Sequence, residues 1–459
     1  MKRTIAQLRE LLDSSKLTSQ SLVEEMLANA RDPAGEGARV FLKLYAEEAM
    51  AQAIAFDVSH RALMPPSRFG PLAGIPISIK DLFDIAGEVT TAGSIVLRDN
   101  APAMRDAPTM ERLRRAGAIL IGRTNMTDWA YGAVGANGHF GTPRCAWNRA
   151  VDDGMGRIPG GSTSGGAISV TDGMAAATIG SDTGGSVRIP AALNGLCGFK
   201  PTARRVPLEG AYPLSRLDSI GPLAWSVGDC VLLDAVLAGE SIPSQLPPRS
   251  LRGLRLGLEK KIMTEGLDPE IAQPFERALS KLSAAGVQLL EFNWPELDGY
   301  PALHAKGGFS AAECHARHRD LLATRSNEID PWVVVRLGPG ASQSAADYID
   351  LLHGRADWIA RSEKTLGPYD AIIAPTVPVV PPRMKPIFDD LATLGEYFKA
   401  NMAVLRNCQF INFLDGCGLT LPIHDWGSAP AGLMIAGPAM SDHRVLGIGA
   451  AIEEQLLRA

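Results

Sequence analysis

The stretch 156–190, GRIPGGSTSGGAISVTDGMAAATIGSDTGGSVRIP, carries two serine-bearing glycine clusters. The first is Gly160-Gly161-Ser162-Thr163-Ser164-Gly165-Gly166, and the second is Asp182-Thr183-Gly184-Gly185-Ser186. Glycine lets backbone approach backbone or ligand closely and reaches conformations that a Cβ forbids. Two such clusters around serines suit N–H groups aimed at one spot, the arrangement that stabilises a developing oxyanion. The segment between them is rich in Ala, Ile, Val and Met and reads as a small-residue helix. Flexible linkers do not have that buried composition.

Upstream of this stretch, helical spacing covers residues 3–13 and 18–31, the second opened by Thr18 and Ser19, and continues over 40–57. Pro65, Pro66, Gly70, Pro71, Gly74 and Pro76 break the pattern. From the break emerges Ile75-Pro76-Ile77-Ser78-Ile79-Lys80-Asp81, a β-branched run that predicts a buried strand with Lys80 at its end. A helix over 107–116 and a strand over 118–121 follow. Downstream, 191–198 reads as a small-residue helix and 199–202 as extended chain. Helix is predicted over 226–240, 268–285, 301–366, 391–409 and 442–457. Strands are predicted over 254–258, 287–292, 371–376, 418–421 and 432–435. Alternating strands and helices favour an α/β sandwich, read here as one domain with the proline-rich break at 243–250 an internal loop.

Composition excludes several classes. Hydrophobic residues make up 46% of the 459 and charged ones 21%, enough for a large core. A net charge of −5 with no basic run leaves no footprint for nucleic acid. No apolar run of about 18 residues marks a membrane span, and the N-terminus lacks a signal-peptide core, so a cytoplasmic protein is expected. The six cysteines, Cys145, Cys197, Cys230, Cys314, Cys408 and Cys417, have no CxxC spacing and read as free thiols.

Common catalytic templates are absent. There is no GxxxxGK(S/T) loop and no GxSxG elbow, no lysine stands three residues after a serine, and Gly154-Met155-Gly156 lacks the third glycine of a dinucleotide fingerprint. Metal and cofactor are not expected. His315 and His318 share a charged helical region that reads as solvated surface, and His139 is the only histidine near the clusters in sequence. What is left is serine chemistry without an obvious histidine. A serine hydroxyl needs a base, and a lysine neutralised by burial can be one. Lys80 fits, although it could equally pair with Asp81 or Asp84 on the surface.

The two clusters resemble the GGSxSG and GSDTGGSxRxPA patterns of the amidase signature family. Residues 74–81 (GIPISIKD), 122–128 (GRTNMTD) and 198–202 (GFKPT) are similar to other segments of that family, and Asn412-Phe413, Leu419–Pro422 and Pro430–Pro438 more loosely so. The resemblance implies a single-domain α/β/α sandwich over 1–459, with a large mixed sheet flanked by helices and a signature core at about 70–225. It also implies an amide hydrolase acting through a serine acyl-enzyme on a small-molecule substrate, with carbamates, ureas or esters as variants.

The family's Ser–cis-Ser–Lys triad falls on Lys80 as base and Ser186 as nucleophile. Its bridging serine lies in the first cluster, where Ser162 and Ser164 compete; counting from the nucleophile selects Ser162, with the bond from Gly161 cis. Thr183, Gly184 and Gly185, with Ser186, would supply the oxyanion hole, and Asp182 and Arg188 would brace the loop. A homodimer is common among similar proteins. The rival readings are the glutamine-hydrolysing component of a tRNA-dependent amidotransferase, which needs partner subunits, and a non-catalytic binding scaffold. The loop Asn137–Ala146 departs from the family's GTPxNP pattern. Residues 294–345, where such enzymes vary the pocket wall, match little.

Overall fold

The chain, described from a computed structural model over residues 2–61, 70–243, 246 and 250–457, is organised by one sheet. Among the described residues eleven strands join it. They are β1 (Phe41–Leu44), β2 (Pro76–Lys80), β3 (Ile119–Thr124), β4 (Ala177–Ser181), β5 (Cys197–Lys200), β6 (Ile220–Ala224), β7 (Arg255–Glu259), β8 (Gln288–Phe292), β9 (Ala371–Pro375), β10 (Cys417–Pro422) and β11 (Gly432–Gly437). Their order across the sheet is β1-β3-β2-β4-β6-β5-β10-β11-β9-β7-β8. β2 runs parallel to β3 and β4, and β7 parallel to β8 and β9. The strands between these groups pair antiparallel. Strands from both ends of the chain thus share one mixed sheet flanked by helices, the expected α/β architecture.

The α/β periodicity locates most elements. The helices Ile5–Asp13, Ser19–Arg31, Pro108–Arg115, Val227–Ala238, Pro269–Ala284 and Asp442–Leu457 stand where the pattern puts them. Thr4 and Thr18 cap the first two by accepting N–H groups three residues on. Pro269 opens a helix at the position where its missing N–H costs nothing. The region 301–366 is helical, built from Glu296–His304, Gly308–Arg325, Pro331–Ser342 and Ala345–Leu366. Among the described residues no helix is long and apolar enough to cross a membrane. All six cysteines are free and buried. Pro65, Pro66, Pro247 and Pro248 lie outside the described residues.

Four expectations fail, each where sheet pairing overrides composition. Helix does not run through 40–57: Phe41–Leu44 pairs antiparallel with β3, and the helix begins at Ala46. The segment between the glycine clusters is helical only to Thr171, after which Ala177–Ser181 is a strand buried along its whole length. Its small residues disguise it, yet β2 and β6 flank it and satisfy its backbone. Helix does not extend over 191–198, because Cys197 already pairs with Ala224. β6 itself has no counterpart among the expected strands. In addition, 391–409 divides into the helices Gly395–Leu405 and Gln409–Phe413.

The first glycine cluster doubles as a packing device. The helix Ser164–Thr171 starts so close to its neighbours that a Cβ on Gly165 would lie 2.6 Å from the Val40 carbonyl oxygen and 2.8 Å from the Asn125 backbone. Backbone cannot rotate away as a side chain can, so any larger residue pushes the helix off β3. Gly165→Val is expected to cost about 1–3 kcal/mol, measured as a lower unfolding midpoint; a midpoint equal to wild type would refute this contact.

Candidate active site

Lys80 is the last residue of β2, which lies between two parallel neighbours and is buried along its whole length. That position carries its side chain to the carboxyl edge of the strands with no exposure to solvent. Nζ donates to Ser162 Oγ at 2.7 Å and to Ser181 Oγ at 2.9 Å. Burial lowers the Lys80 pKa to about 7, and the charges of Asp218 and Asp182 offset only part of the effect. The surface alternatives are not made. Asp81 pairs with Arg123 at 2.6 Å in the interior, and Asp84 accepts from Thr90 at 2.6 Å.

The first cluster brings Ser162 to this amine. Gly161 N–H donates to the Ala133 carbonyl at 2.7 Å, and the Ser162 carbonyl accepts from Thr127 N–H at 3.2 Å. Gly135 backbone would lie 2.7 Å from a Cβ on Gly161, so only glycine fits there. The Gly161–Ser162 peptide bond is cis, and Ser162 is fully buried. Ser164 opens the following helix and its Oγ donates to the Asn125 carbonyl at 3.5 Å, while the hydroxyls that Lys80 meets are those of Ser162 and Ser181.

The second cluster is shaped by Asp182. Its carboxylate accepts the Gly185 N–H at 2.8 Å, the Val187 N–H at 3.1 Å and the Asn412 side-chain amide at 2.8 Å. Arg188 pairs with both of its oxygens, at 3.1 and 3.0 Å. Burial pushes this carboxyl up, but Arg188 and the other donors outweigh it and hold the pKa at about 2. Asp182 and Arg188 therefore brace the turn, as expected. Gly185 differs from expectation. Its N–H is already given to Asp182, so it sets the turn and does not face the cavity as an oxyanion donor.

The N–H groups of Thr183, Gly184 and Ser186 have no acceptor among the described residues. These three residues line a cavity of about 160 Å³. Ser186 is 7% exposed, and its hydroxyl has no hydrogen bond among the described residues. The structure thus joins Lys80 to Ser162 directly, while Ser186 stands on the cavity without a bond to Ser162. Catalytic contacts of this kind often tighten only when substrate is bound.

Sequence reasoning missed two groups beside the amine. Ser181 lies one residue before Asp182, at the end of a strand hidden by small residues. Asp218, buried, accepts the Thr183 hydroxyl at 2.6 Å and faces Lys80. Burial raises its pKa to about 6, against hydrogen bonds from Thr183, Leu214 and Ser215. No local motif announces it, since Thr183 and Lys80 come to it only in the folded chain.

The histidines fall elsewhere. His318 is not solvated surface. Its ring stacks on Trp129 at 3.8 Å and meets the Tyr212 hydroxyl at 2.6 Å, with burial lowering its pKa to about 4. His139 lines a separate, larger cavity of about 710 Å³ that contains none of Lys80, Ser162 and Ser186. With Asp128 and Asp330 it forms the one group among the described residues whose ligand atoms could surround a metal ion, all within 4.8 Å of one another.

Comparison with known proteins agrees with this geometry. The family model described as Amidase matches residues 22–446. A 2-amino-5-chloromuconic acid deaminase of Comamonas testosteroni is 34% identical over 388 residues, covering 84% of this chain and 82% of the relative. A glutamyl-tRNA(Gln) amidotransferase component of Halorhodospira halophila is 31% identical, covering 97% of this chain and 96% of the relative. A crystal structure described as an amidase superposes with a TM-score of 0.85 at 31% identity, covering 99% of this chain and all of the other. The two glycine clusters, the lysine-ended strand and the mixed sheet have one common explanation: this chain belongs to the amidase family.

Proposed function

We propose that this chain hydrolyses the C–N bond of a small amide through an acyl-enzyme on Ser186, with Lys80 as base and Ser162 as relay. The observation that carries this reading is the 2.7 Å contact between a fully buried lysine amine and Ser162, next to a cavity floored by Ser186. A lysine whose pKa is about 7 is substantially neutral near neutral pH and can accept a proton.

In the first step Ser186 Oγ attacks the carbonyl carbon. Its proton passes to Ser162 Oγ while the Ser162 proton passes to Lys80 Nζ, since a hydroxyl can donate and accept at once. The Ser186 hydroxyl turns toward Ser162 for this transfer. The oxyanion that forms is held by the free N–H groups of Thr183, Gly184 and Ser186; one such donor typically contributes about 3 kcal/mol. Collapse expels the amine, which takes its proton from Ser162, and Ser162 is reprotonated by Lys80. Water enters, gives its proton along the same relay and releases the acid. Asp218 and Asp182 partly counter the charge on protonated Lys80, which makes the ion pair of the intermediate less costly. No metal or cofactor takes part in this scheme, and the whole chain acts as one amidase domain.

A second reading, the glutamine-hydrolysing component of an amidotransferase, is favoured by the relatives of that kind that match nearly the full chain. It uses the same residues and differs in needing partners. The purified chain assayed alone separates the two: turnover of simple amides supports a free-standing amidase, and turnover only with partner subunits present supports the rival. If the intact chain neither turns over amides nor takes a serine-directed label, it is a binding scaffold.

Ser186→Ala is expected to abolish labelling by a fluorophosphonate and to lower kcat by at least about a thousandfold; retained labelling would place the nucleophile elsewhere. The pH profile follows from Lys80. Below about pH 7 the amine is protonated and cannot accept, so kcat/KM falls about tenfold per pH unit on the acid side. A rate that stays flat down to about pH 5 would exclude a neutral lysine base.

A further inference from the structure

The cavity floored by Ser186 has a one-sided charge. Among the described residues that line it, none is an Asp or Glu, and the only guanidinium is Arg336, on the helix Pro331–Ser342. The two other polar groups of note are weakly basic or neutral. Burial lowers the pKa of His304, whose ring stacks on Tyr300 at 4.1 Å, and Gln409 carries no charge.

Arg336 is held in place yet has no counter-ion. Its Nη1 donates to the Tyr131 carbonyl at 3.0 Å, and its guanidinium lies 4.2 Å from the centre of the Tyr131 ring. The Tyr131 hydroxyl returns a bond to the Arg336 carbonyl at 3.3 Å, and the Tyr397 hydroxyl lies against the guanidinium. These contacts orient the planar fork but leave most of its five N–H donors unused. The fully buried arginines among the described residues are neutralised: Arg123 by Asp81 and Arg188 by Asp182. Arg336 meets no carboxylate among the described residues. A fixed, half-buried guanidinium on an acid-free cavity lacks a partner that a ligand can supply, and a planar carboxylate matches its geometry.

We propose that Arg336 binds a carboxylate of the substrate, so that the chain acts on small amides that also carry a carboxylate group, with the amide carbonyl at Ser186. This deepens the amide-hydrolase reading and rests on it. At about 160 Å³ the cavity is smaller than the roughly 300–1,000 Å³ pockets that hold drug-sized ligands, which keeps the substrate small. Arg336 also lies within 294–345, where the chain departs from the family pattern, as do Tyr300, His304 and Phe309 on the same cavity.

The test compares monoamides of three- to five-carbon dicarboxylic acids with the uncharged amides of matching length, and adds N-acetylglycine, which puts the carboxylate on the amine side. Wild type is expected to favour one acid series over its neutral match by roughly ten- to a hundredfold in kcat/KM, mostly through KM. Whichever acid series is favoured shows which half of the substrate carries the carboxylate. Arg336→Gln is expected to bring the acid-to-neutral ratio near one, and Arg336→Lys to restore part of it. Wild type treating acid and neutral amides alike, or Arg336→Gln lowering both equally, would overturn the proposal.

A second measurement is independent of turnover. Succinate or glutarate should slow fluorophosphonate labelling of Ser186 in wild type and not in Arg336→Gln; equal or absent protection in both counts against the subsite. If Ser186 takes no label at all, the hydrolase reading fails. Calorimetric titration of wild type and Arg336→Gln with glutarate then decides the subsite alone: binding by wild type only supports it, and no difference rejects it.

Discussion

A single buried carboxylate, that of Asp182, ties the second glycine cluster to the rest of the molecule. It sits at the end of β4 and accepts from the Gly185 and Val187 backbone, Nε and Nη2 of Arg188 and the Asn412 amide. Arg188 in turn reaches the Cys408 carbonyl and the Asn412 side chain. The turn that presents Ser186 is thereby clamped to the C-terminal part of the chain, more than two hundred residues away. A buried charge left without partners is severely destabilising, and breaking such a pair typically costs about 3–5 kcal/mol. Here every oxygen of the carboxylate is used, so the cost of burial is offset by bonds that also fix the loop.

The site's second buried charge is treated in the opposite way. Lys80 has two serine hydroxyls and no direct carboxylate, and burial therefore shifts it toward the neutral amine. Asp218 and Asp182 stand near enough to moderate the shift without reversing it. One strand edge thus holds a paired Asp182 whose charge is secured and an unpaired Lys80 whose charge is suppressed. The same physics, desolvation with or without a counter-ion, secures the charge of the first and lowers the pKa of the second. Arg336 is a third case, a guanidinium set by an aromatic ring and a carbonyl, with its remaining donors unmatched by protein acids.

How much of this is readable in the chain depends on distance along it. Lys80, Ser162 and Ser186 each lie inside a short glycine- or β-branched motif, and the resemblance identifies all three. Ser181 is hidden because Ala177–Ser181 has the composition of a helix and becomes a strand only by pairing with β2 and β6. Asp218 and Arg336 carry no motif; the contacts that place Asp218 beside Lys80 and Arg336 on Tyr131 come from residues distant in sequence. His318 looks like surface because its helix is charged, yet the one face that meets Trp129 is buried. The Gly185 N–H is misassigned for a related reason, since only the folded turn shows that Asp182 takes it.

The amino-acid order by itself determined the local chemistry: which serines stand among glycines, which lysine ends an apolar run, and where strands and helices alternate. These follow from conformational freedom and side-chain hydrophobicity, both properties of short segments. The tertiary structure alone decided which of those groups meet and in what charge state. That the Lys80 amine against Ser162 has a lowered pKa, that Asp182 is held as a brace, and that Arg336 meets no carboxylate among the described residues all depend on burial and on partners. Burial and partners exist only once distant segments have packed together.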